Sequence, residues 1–175
     1  MKFADLAAKA RRIKLVLTDC DGVLTDGGVY YGESGEVLKR FSIRDGMGVE
    51  RLRAVGVDTG IVTGERSPSV QKRADKLKIT ELHLGIKDKA TLLGEITGRL
   101  GLQADEVAFI GDDTNDVEVL GLVGLAACPG DATRFARDVA DYRCRARGGH
   151  GAFRELAELI ISAHGGKAPD DEGSE

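Results

Sequence analysis

The 175-residue sequence contains few cysteines, no long apolar run and no excess of basic residues. Its cysteines, Cys20, Cys128 and Cys144, are odd in number and lack CxxC spacing, which argues against both a disulfide framework and a zinc site. No stretch is long enough to span a membrane, and the charged N-terminal segment lacks the pattern of a secretion signal. We therefore expect a protein of the reducing cytoplasm.

The charge balance argues against a nucleic-acid partner. Lysine and arginine total 25 against 29 acidic residues, giving a net charge of -4, and no basic stripe with interleaved aromatic residues occurs. The length favours one domain, 1–164, with a single core, followed by a disordered acidic tail at 165–175.

Apolar runs rich in valine and isoleucine alternate with amphipathic segments, a pattern typical of βαβ units around a parallel sheet. The segment 27–43 differs, because two apolar runs flank a glycine-containing turn; it is predicted to be a projecting β-hairpin. Strands are predicted at 14–18, 58–63, 81–84 and 107–111, with a fifth near 124–127. Helices are predicted near 46–55, 67–77, 87–100, 115–120, 131–136 and 152–163.

The first predicted strand stops at two carboxylates, Asp19 and Asp21. Residues spaced i, i+2 share one face of a strand, and Gly22 permits the chain to turn there. One carboxylate can attack while the other handles a proton, which suggests phosphoryl chemistry. An aspartate-rich turn at the end of a strand is the simpler alternative.

The other strand ends carry further polar residues. Thr63 and Gly64 follow the second strand, and Lys87 and Lys89 follow the third. The fourth ends in the sequence GDDTND, where three carboxylates within five residues repel one another unless solvent or a cation compensates them. Ligands of open α/β sheets bind at these carboxyl ends. Taken singly, a turn, a solvated lysine or a helix N-cap explains each piece equally well.

Taken together and in this order, the DxDGVLTDG, TG, lysine and GDDxxD segments resemble the haloacid dehalogenase superfamily of phosphatases, over about residues 13–158. The resemblance implies a Rossmann-like, three-layer α/β/α fold with a mostly parallel sheet. It further implies that Asp19 attacks phosphorus to form an aspartyl phosphate and that Asp21 serves as general acid and base. The implied cofactor is Mg²⁺, held by Asp19, the backbone carbonyl of Asp21 and Asp112.

The same resemblance gives roles to the remaining motif residues. Thr63 and Gly64 would bind phosphoryl oxygens, and Lys89, with Lys87 as its rival, would offset the charge of the nucleophile and phosphate. Asp113 and Asp116 would support the site, although Asp113 is equally compatible with a structural role. In particular, Asp116 would hold Lys89 through an ion pair.

Too few residues separate Asp19, Thr63 and Lys89 for a separate cap domain. A capless site must accept a macromolecule or borrow its lid from another subunit. The segments DGVLTDGGVYY, KRFSIRDGMGVERL and GGHGAFRE resemble the tetrameric subgroup that dephosphorylates 3-deoxy-D-manno-octulosonate (Kdo) 8-phosphate or 2-keto-3-deoxy-nonulosonate (KDN) 9-phosphate. That resemblance implies a homotetramer in which the hairpin of one chain covers the site of its neighbour.

Four residues are candidates for binding the sugar. Arg73 and Arg154 suit the sugar-acid carboxylate, because a guanidinium matches carboxylate geometry, although each is equally compatible with a surface arginine. Glu65, with Lys76 about three helical turns later, departs from the TGR sequence of Kdo 8-phosphate enzymes and favours the nine-carbon substrate or a mixed specificity. A phosphatase for another small sugar phosphate, and a non-catalytic assembly module with the same fold, are the alternative functions.

Overall fold

The computed structural model describes residues 3–165. Within that range the strands are β1 (Leu15–Thr18), β2 (Tyr30–Gly32), β3 (Gly35–Leu38), β4 (Asp58–Thr63), β5 (Glu81–Leu84), β6 (Val107–Ile110), β7 (Leu125–Cys128) and β8 (Tyr142–Arg143). The α-helices are α1 (Phe3–Arg12), α2 (Ile43–Ala54), α3 (Pro68–Leu77), α4 (Lys89–Leu100), α5 (Val117–Leu120), α6 (Arg134–Val139) and α7 (Ala152–Ala163). A single 3₁₀ turn precedes each of β6 and α5.

Six strands form one parallel sheet in the order β5-β4-β1-β6-β7-β8. The sheet residues alternate between two apolar cores: Val16 packs with α1, α2, α3 and α7, whereas Leu15 and Leu17 pack with α4, α5 and α6. Both faces of β1 are buried, which explains its continuous apolar sequence. The predicted three-layer α/β/α fold with a parallel sheet is confirmed.

The hairpin forms a separate two-stranded antiparallel sheet between β1 and α2. Gly32 pairs with Gly35, so the turn is tighter than the sequence predicts. Ser42 accepts a hydrogen bond from the Asp45 amide and caps α2, which places Ile43 in the helix rather than in the predicted hairpin. Among the described residues, the hairpin and α2 fill the chain from β1 to β4, leaving no separate cap domain there.

Sequence patterns missed two elements and shifted a third. Helix α1 buries only a narrow apolar face, including Leu6 and Ala10, and β8 has only two residues, too few to give a periodicity. Helix α6 begins after Thr133, whose amide donates to the Asp112 carbonyl, three residues later than predicted. The predicted tail, 165–175, lies outside the described residues except for Gly165. No helix in the described part of the chain is long and apolar enough to cross a membrane.

Candidate active site

The site lies where the carboxyl ends of β1, β4 and β6 meet. Strand β1 is central, with β4 on one side and β6 on the other, so the chain leaves the strands in opposite directions and opens a crevice between them. A cavity of about 410 Å³ occupies this position. Its lining includes eight residues predicted from the sequence: Asp19, Asp21, Thr63, Gly64, Glu65, Lys87, Asp112 and Asp113.

Asp19 follows β1 directly and is 5% exposed. Its Oδ1 accepts a hydrogen bond of 2.6 Å from the Cys20 amide, and its Oδ2 lies 3.1 Å from Nζ of Lys89. Burial raises the pKa of Asp19 to about 6, although the charge of Lys89 acts in the opposite direction. The carboxylate therefore lines the cavity from a buried position, with Lys89 beside it.

Lys89 bridges two carboxylates. Its Nζ lies 2.6 Å from Oδ1 of fully buried Asp116, the ion pair that the family resemblance implied, as well as beside Asp19. Burial opposes the charge of Lys89, but Asp19 and Asp116 raise its pKa above the ordinary value. The rival lysine, Lys87, is exposed and lines the cavity. The structure therefore places Lys89, rather than Lys87, against Asp19.

Asp112 follows β6 and faces Asp19 across the crevice. Burial, together with the charges of Asp19 and Asp116, raises the pKa of Asp112 to about 7. The space for its carboxylate depends on Gly22, because a Cβ at this position, with φ +81°, would collide with Oδ2 of Asp112. The glycine that lets the chain turn after Asp21 therefore also makes room for the second carboxylate.

The donor set fits a hard divalent cation. Carboxylate oxygens of Asp19, Asp112 and Asp116 all lie within 4.8 Å of one another. Asp116 is already engaged, because Oδ1 binds Lys89 and Oδ2 accepts from the Asp112 amide at 2.9 Å. Asp19 and Asp112 line the cavity, whereas Asp116 does not, and carboxylate oxygens of this kind suit Mg²⁺. A cation would also stabilise the ionised forms that burial disfavours.

Asp21 lines the same cavity and is in contact with a lysine that follows the hairpin. Nζ of Lys39, which follows β3, lies 2.7 Å from both carboxylate oxygens of Asp21. Burial opposes the charge of Lys39, but the hydrogen bond to Asp21 and the charge of Asp21 raise the pKa of Lys39 above its ordinary value. Sequence reasoning missed Lys39 because a lysine at the base of a hairpin carries no pattern that marks it.

The end of β4 supplies hydrogen-bond donors. The Thr63 hydroxyl accepts from the Glu65 amide at 3.2 Å, which leaves its own hydrogen free to be donated into the cavity. Gly64 and Glu65 line the cavity beside it. Asp113 also lines the cavity while its Oδ1 accepts from the Thr114 amide at 2.7 Å and caps the 3₁₀ turn.

Comparison with known proteins shows the family to which this chain belongs. Residues 76–156 match the family described as haloacid dehalogenase-like hydrolase. The chain is 40% identical over 159 residues to 3-deoxy-D-manno-octulosonate 8-phosphate phosphatase of Yersinia pestis, a match that covers 91% of this chain and 85% of that protein. This chain belongs to the 3-deoxy-D-manno-octulosonate 8-phosphate phosphatase family of haloacid dehalogenase-like hydrolases.

Two solved structures of this family contain metal ions. The enzyme of Moraxella catarrhalis, crystallised with magnesium, phosphate and Kdo, is 36% identical, has a TM-score of 0.89 and covers 93% of each chain. A cobalt-bound enzyme of Haemophilus influenzae is 35% identical, has a TM-score of 0.87 and covers 90% of this chain and 92% of that chain. Membership of the phosphatase family and its fold, both inferred from sequence, are thereby confirmed.

Three residues proposed to bind the sugar do not line the cavity of this hydrolase. The Arg73 guanidinium donates to the Ser42 carbonyl at 2.7 Å and lies over the Phe41 ring. Arg154 forms an ion pair with Glu158, and Lys76 is exposed on α3. Their substrate roles stay predictions that require a partner subunit or movement of these side chains.

The GGHGAFRE segment packs behind the loop that follows β1. A Cβ at Gly148 would collide with the Gly22 carbonyl, and the Gly149 amide donates to the Val23 carbonyl at 2.8 Å. Asp45 on α2 accepts from the Arg154 amide at 2.9 Å and so joins this segment to α2. The segment supports the backbone that carries Asp21 and Gly22.

Proposed function

We propose that this chain hydrolyses 3-deoxy-D-manno-octulosonate 8-phosphate to the free sugar acid and phosphate. The cluster of Asp19, Lys89, Asp116 and Asp112 at the end of β1 carries the proposal, since it combines a buried nucleophile with a cation site. Its support includes relatives named for this activity that match almost the whole chain. The intact set of carboxylates and lysine argues against a non-catalytic assembly module.

The proposed reaction proceeds in two displacements at phosphorus. An oxygen of Asp19 attacks while the bond to the sugar oxygen breaks, and the proton of Asp21 passes to that oxygen, giving an aspartyl phosphate and the sugar. Water then attacks the same phosphorus and gives a proton to Asp21, and the bond to Asp19 breaks to release phosphate. Thr63, the Gly64 amide and Lys89 stabilise the charge on the transferring group.

The proposed cofactor is Mg²⁺, held by the carboxylates of Asp19 and Asp112 and by the backbone carbonyl of Asp21. When bound, it supplies positive charge between nucleophile and phosphate. Metal ions in two family structures and the proximity of the cavity-lining carboxylates of Asp19 and Asp112 support this assignment. A cytoplasmic location is proposed from the composition alone.

The nucleophile is tested with Asp19→Asn, which keeps the shape of the side chain but removes its charge. We expect Mg²⁺-dependent turnover of Kdo 8-phosphate to fall by at least about 10³-fold while the circular dichroism spectrum is unchanged. Retained turnover in a folded variant would refute the mechanism.

Profiling the wild type on Kdo 8-phosphate, KDN 9-phosphate and an aryl phosphate tests the substrate, and equal kcat/KM on all three would refute the sugar-acid assignment.

The nine-carbon substrate has partial support from the structure. Glu65 lines the cavity, but its proposed companion Lys76 does not. Since the relatives described above are named for Kdo 8-phosphate, the eight-carbon substrate is the stronger candidate. A higher kcat/KM for KDN 9-phosphate would reverse this order.

Lys87 is the substrate-facing cation that we propose for the sugar-acid carboxylate. Among the described residues that line the cavity it is the one with a basic side chain, beside five acidic residues. Replacing it in Lys87→Met should raise KM for the sugar-acid phosphate about 10-fold, the loss of one charge-assisted hydrogen bond. A hexose phosphate, which lacks the carboxylate, is the control. An equal rise in both KM values would contradict this role.

We propose that the hairpin covers the site of a second copy of the chain in a homotetramer. Tyr30, Tyr31 and Val37 are 62%, 74% and 59% exposed on the hairpin, an apolar surface that suits burial against another subunit. Light scattering should give the tetramer mass for the wild type and a smaller species for Tyr31→Glu. A strictly monomeric wild type would refute the shared lid.

A further inference from the structure

Lys39 connects the hairpin to the proposed general acid and base. Its side chain is 1% exposed although it belongs to a segment whose other residues are mostly exposed. Its Nζ lies 2.7 Å from both Oδ1 and Oδ2 of Asp21. A buried lysine with this placement interacts with carboxylates of the protein rather than with solvent.

A second set of contacts, through Glu36 and Ser67, also restrains Lys39. Glu36, on β3, lies 3.5 Å from Nζ of Lys39. The Ser67 hydroxyl donates to Oε1 of Glu36, and the same oxygen of Ser67 accepts from the Val70 amide as the cap of α3. The lysine is therefore held between the hairpin, α3 and the loop after β1, three elements that meet at this point.

Lys39 does not line the catalytic cavity, so its effect on the reaction must pass through Asp21. Asp21 lies on a loop, and its other side-chain contact is a long one of 3.4 Å to the Thr25 hydroxyl. A general acid works only when its oxygen is within hydrogen-bond reach of the leaving oxygen, and small misplacements are costly. The bidentate contact is thus the strongest restraint on the orientation of Asp21.

We propose that Lys39 is a positioning residue that orients the Asp21 carboxyl group toward the leaving oxygen of the substrate. The inference rests on the proposed phosphatase function and deepens it, because it links the hairpin to proton transfer. It predicts that substitution of Lys39 lowers kcat/KM to a degree that depends on the leaving group. A sugar alkoxide needs the proton of Asp21, whereas an aryl oxide departs without it.

The test compares kcat/KM for Kdo 8-phosphate and for 4-nitrophenyl phosphate, because this parameter covers the steps through departure of the first product. Lys39→Met should lower kcat/KM for the sugar phosphate by about 10²-fold and for the aryl phosphate by less than about 3-fold. Lys39→Arg, which keeps the charge, should recover much of the loss. Glu36→Gln, which leaves Lys39 in place, provides a second variant. It should also lower kcat/KM more for the sugar phosphate than for the aryl phosphate, but by a smaller factor.

Two further measurements separate positioning from a structural role. In an Asp21→Asn background, Lys39→Met should cause no additional loss on the sugar phosphate, because the group it orients has gone. The matched control is Lys14→Met, which removes a lysine paired with Glu106 at 2.6 Å near the opposite end of β1 and should leave both substrates unaffected. Equal losses on both substrates, or additive losses with Asp21→Asn, would overturn the inference. A wild type inactive on both phosphates would instead overturn the proposed function and this inference together.

Discussion

Binding of Mg²⁺ to this site should weaken steeply as the pH falls, because protons compete for Asp19 and Asp112. Their pKa values in the metal-free protein are raised to about 6 and about 7. Taking the two groups as independent, lowering the pH from about 8 to about 5.5 protonates Asp112 enough to weaken binding about 30-fold and Asp19 enough to weaken it about 4-fold. The apparent Kd should therefore rise roughly 100-fold, which corresponds to about 2.7 kcal/mol.

The assay is calorimetric titration of Mg²⁺ into the metal-free protein at several pH values. Two carboxylates with ordinary pKa values would change the Kd by less than about 2-fold over the same range, so a flat profile would refute the burial argument. Asp112→Asn is the matched control, because it removes the group with the higher pKa. Its weaker binding should retain only the roughly 4-fold dependence that Asp19 contributes.

Thermal stability supplies an independent check that the pKa values of Asp19 and Asp112 are raised rather than lowered. Because both pKa values are raised on folding, the folded protein binds more protons than the unfolded chain between about pH 4 and pH 7. The contribution of these groups is therefore present at low pH and lost as the pH rises through about 6 to 7. Saturating Mg²⁺ should raise Tm more at pH 8 than at pH 5.5; a reversed order would contradict the assignment.

Two substitutions test the packing of the site. Gly22→Ala should weaken Mg²⁺ binding about 10-fold in calorimetry, because the added Cβ displaces the Asp112 carboxylate. The control is Gly56→Ala, at φ +79° with open space around the added Cβ, which should lower stability without changing Mg²⁺ binding. A similar Kd for both variants would refute this reasoning. Asp116→Asn should lower the free energy of unfolding by about 3 kcal/mol in urea titration, since Lys89 loses one of two buried partners. Lys14→Met, which breaks a solvent-accessible pair with Glu106, should lower the free energy of unfolding far less, and equal losses would contradict the argument.

The local patterns that predicted the fold were those that burial imposes on neighbouring residues. Strands such as β6 are buried on both faces, so their apolar runs marked them within a residue of the observed bounds. Helix caps and very short elements were not predicted. Ser42 caps α2 and Asp88 caps α4 by accepting hydrogen bonds from backbone amides three residues later, and such local bonds leave no periodicity in the sequence. For the same reason β8, which has two residues and one strand neighbour, was not predicted.

The sequence by itself determined which side chains stand at the carboxyl ends of the strands, because chain order and strand length place Asp19, Thr63 and Asp112 there. Only the tertiary structure decided how they are used. It set Lys89 against Asp19, occupied both oxygens of Asp116, and kept Arg73 and Arg154 out of the cavity. It also brought Lys39 to Asp21. Such contacts join residues far apart in sequence, and their energies depend on burial and distance, which exist only after the chain has folded.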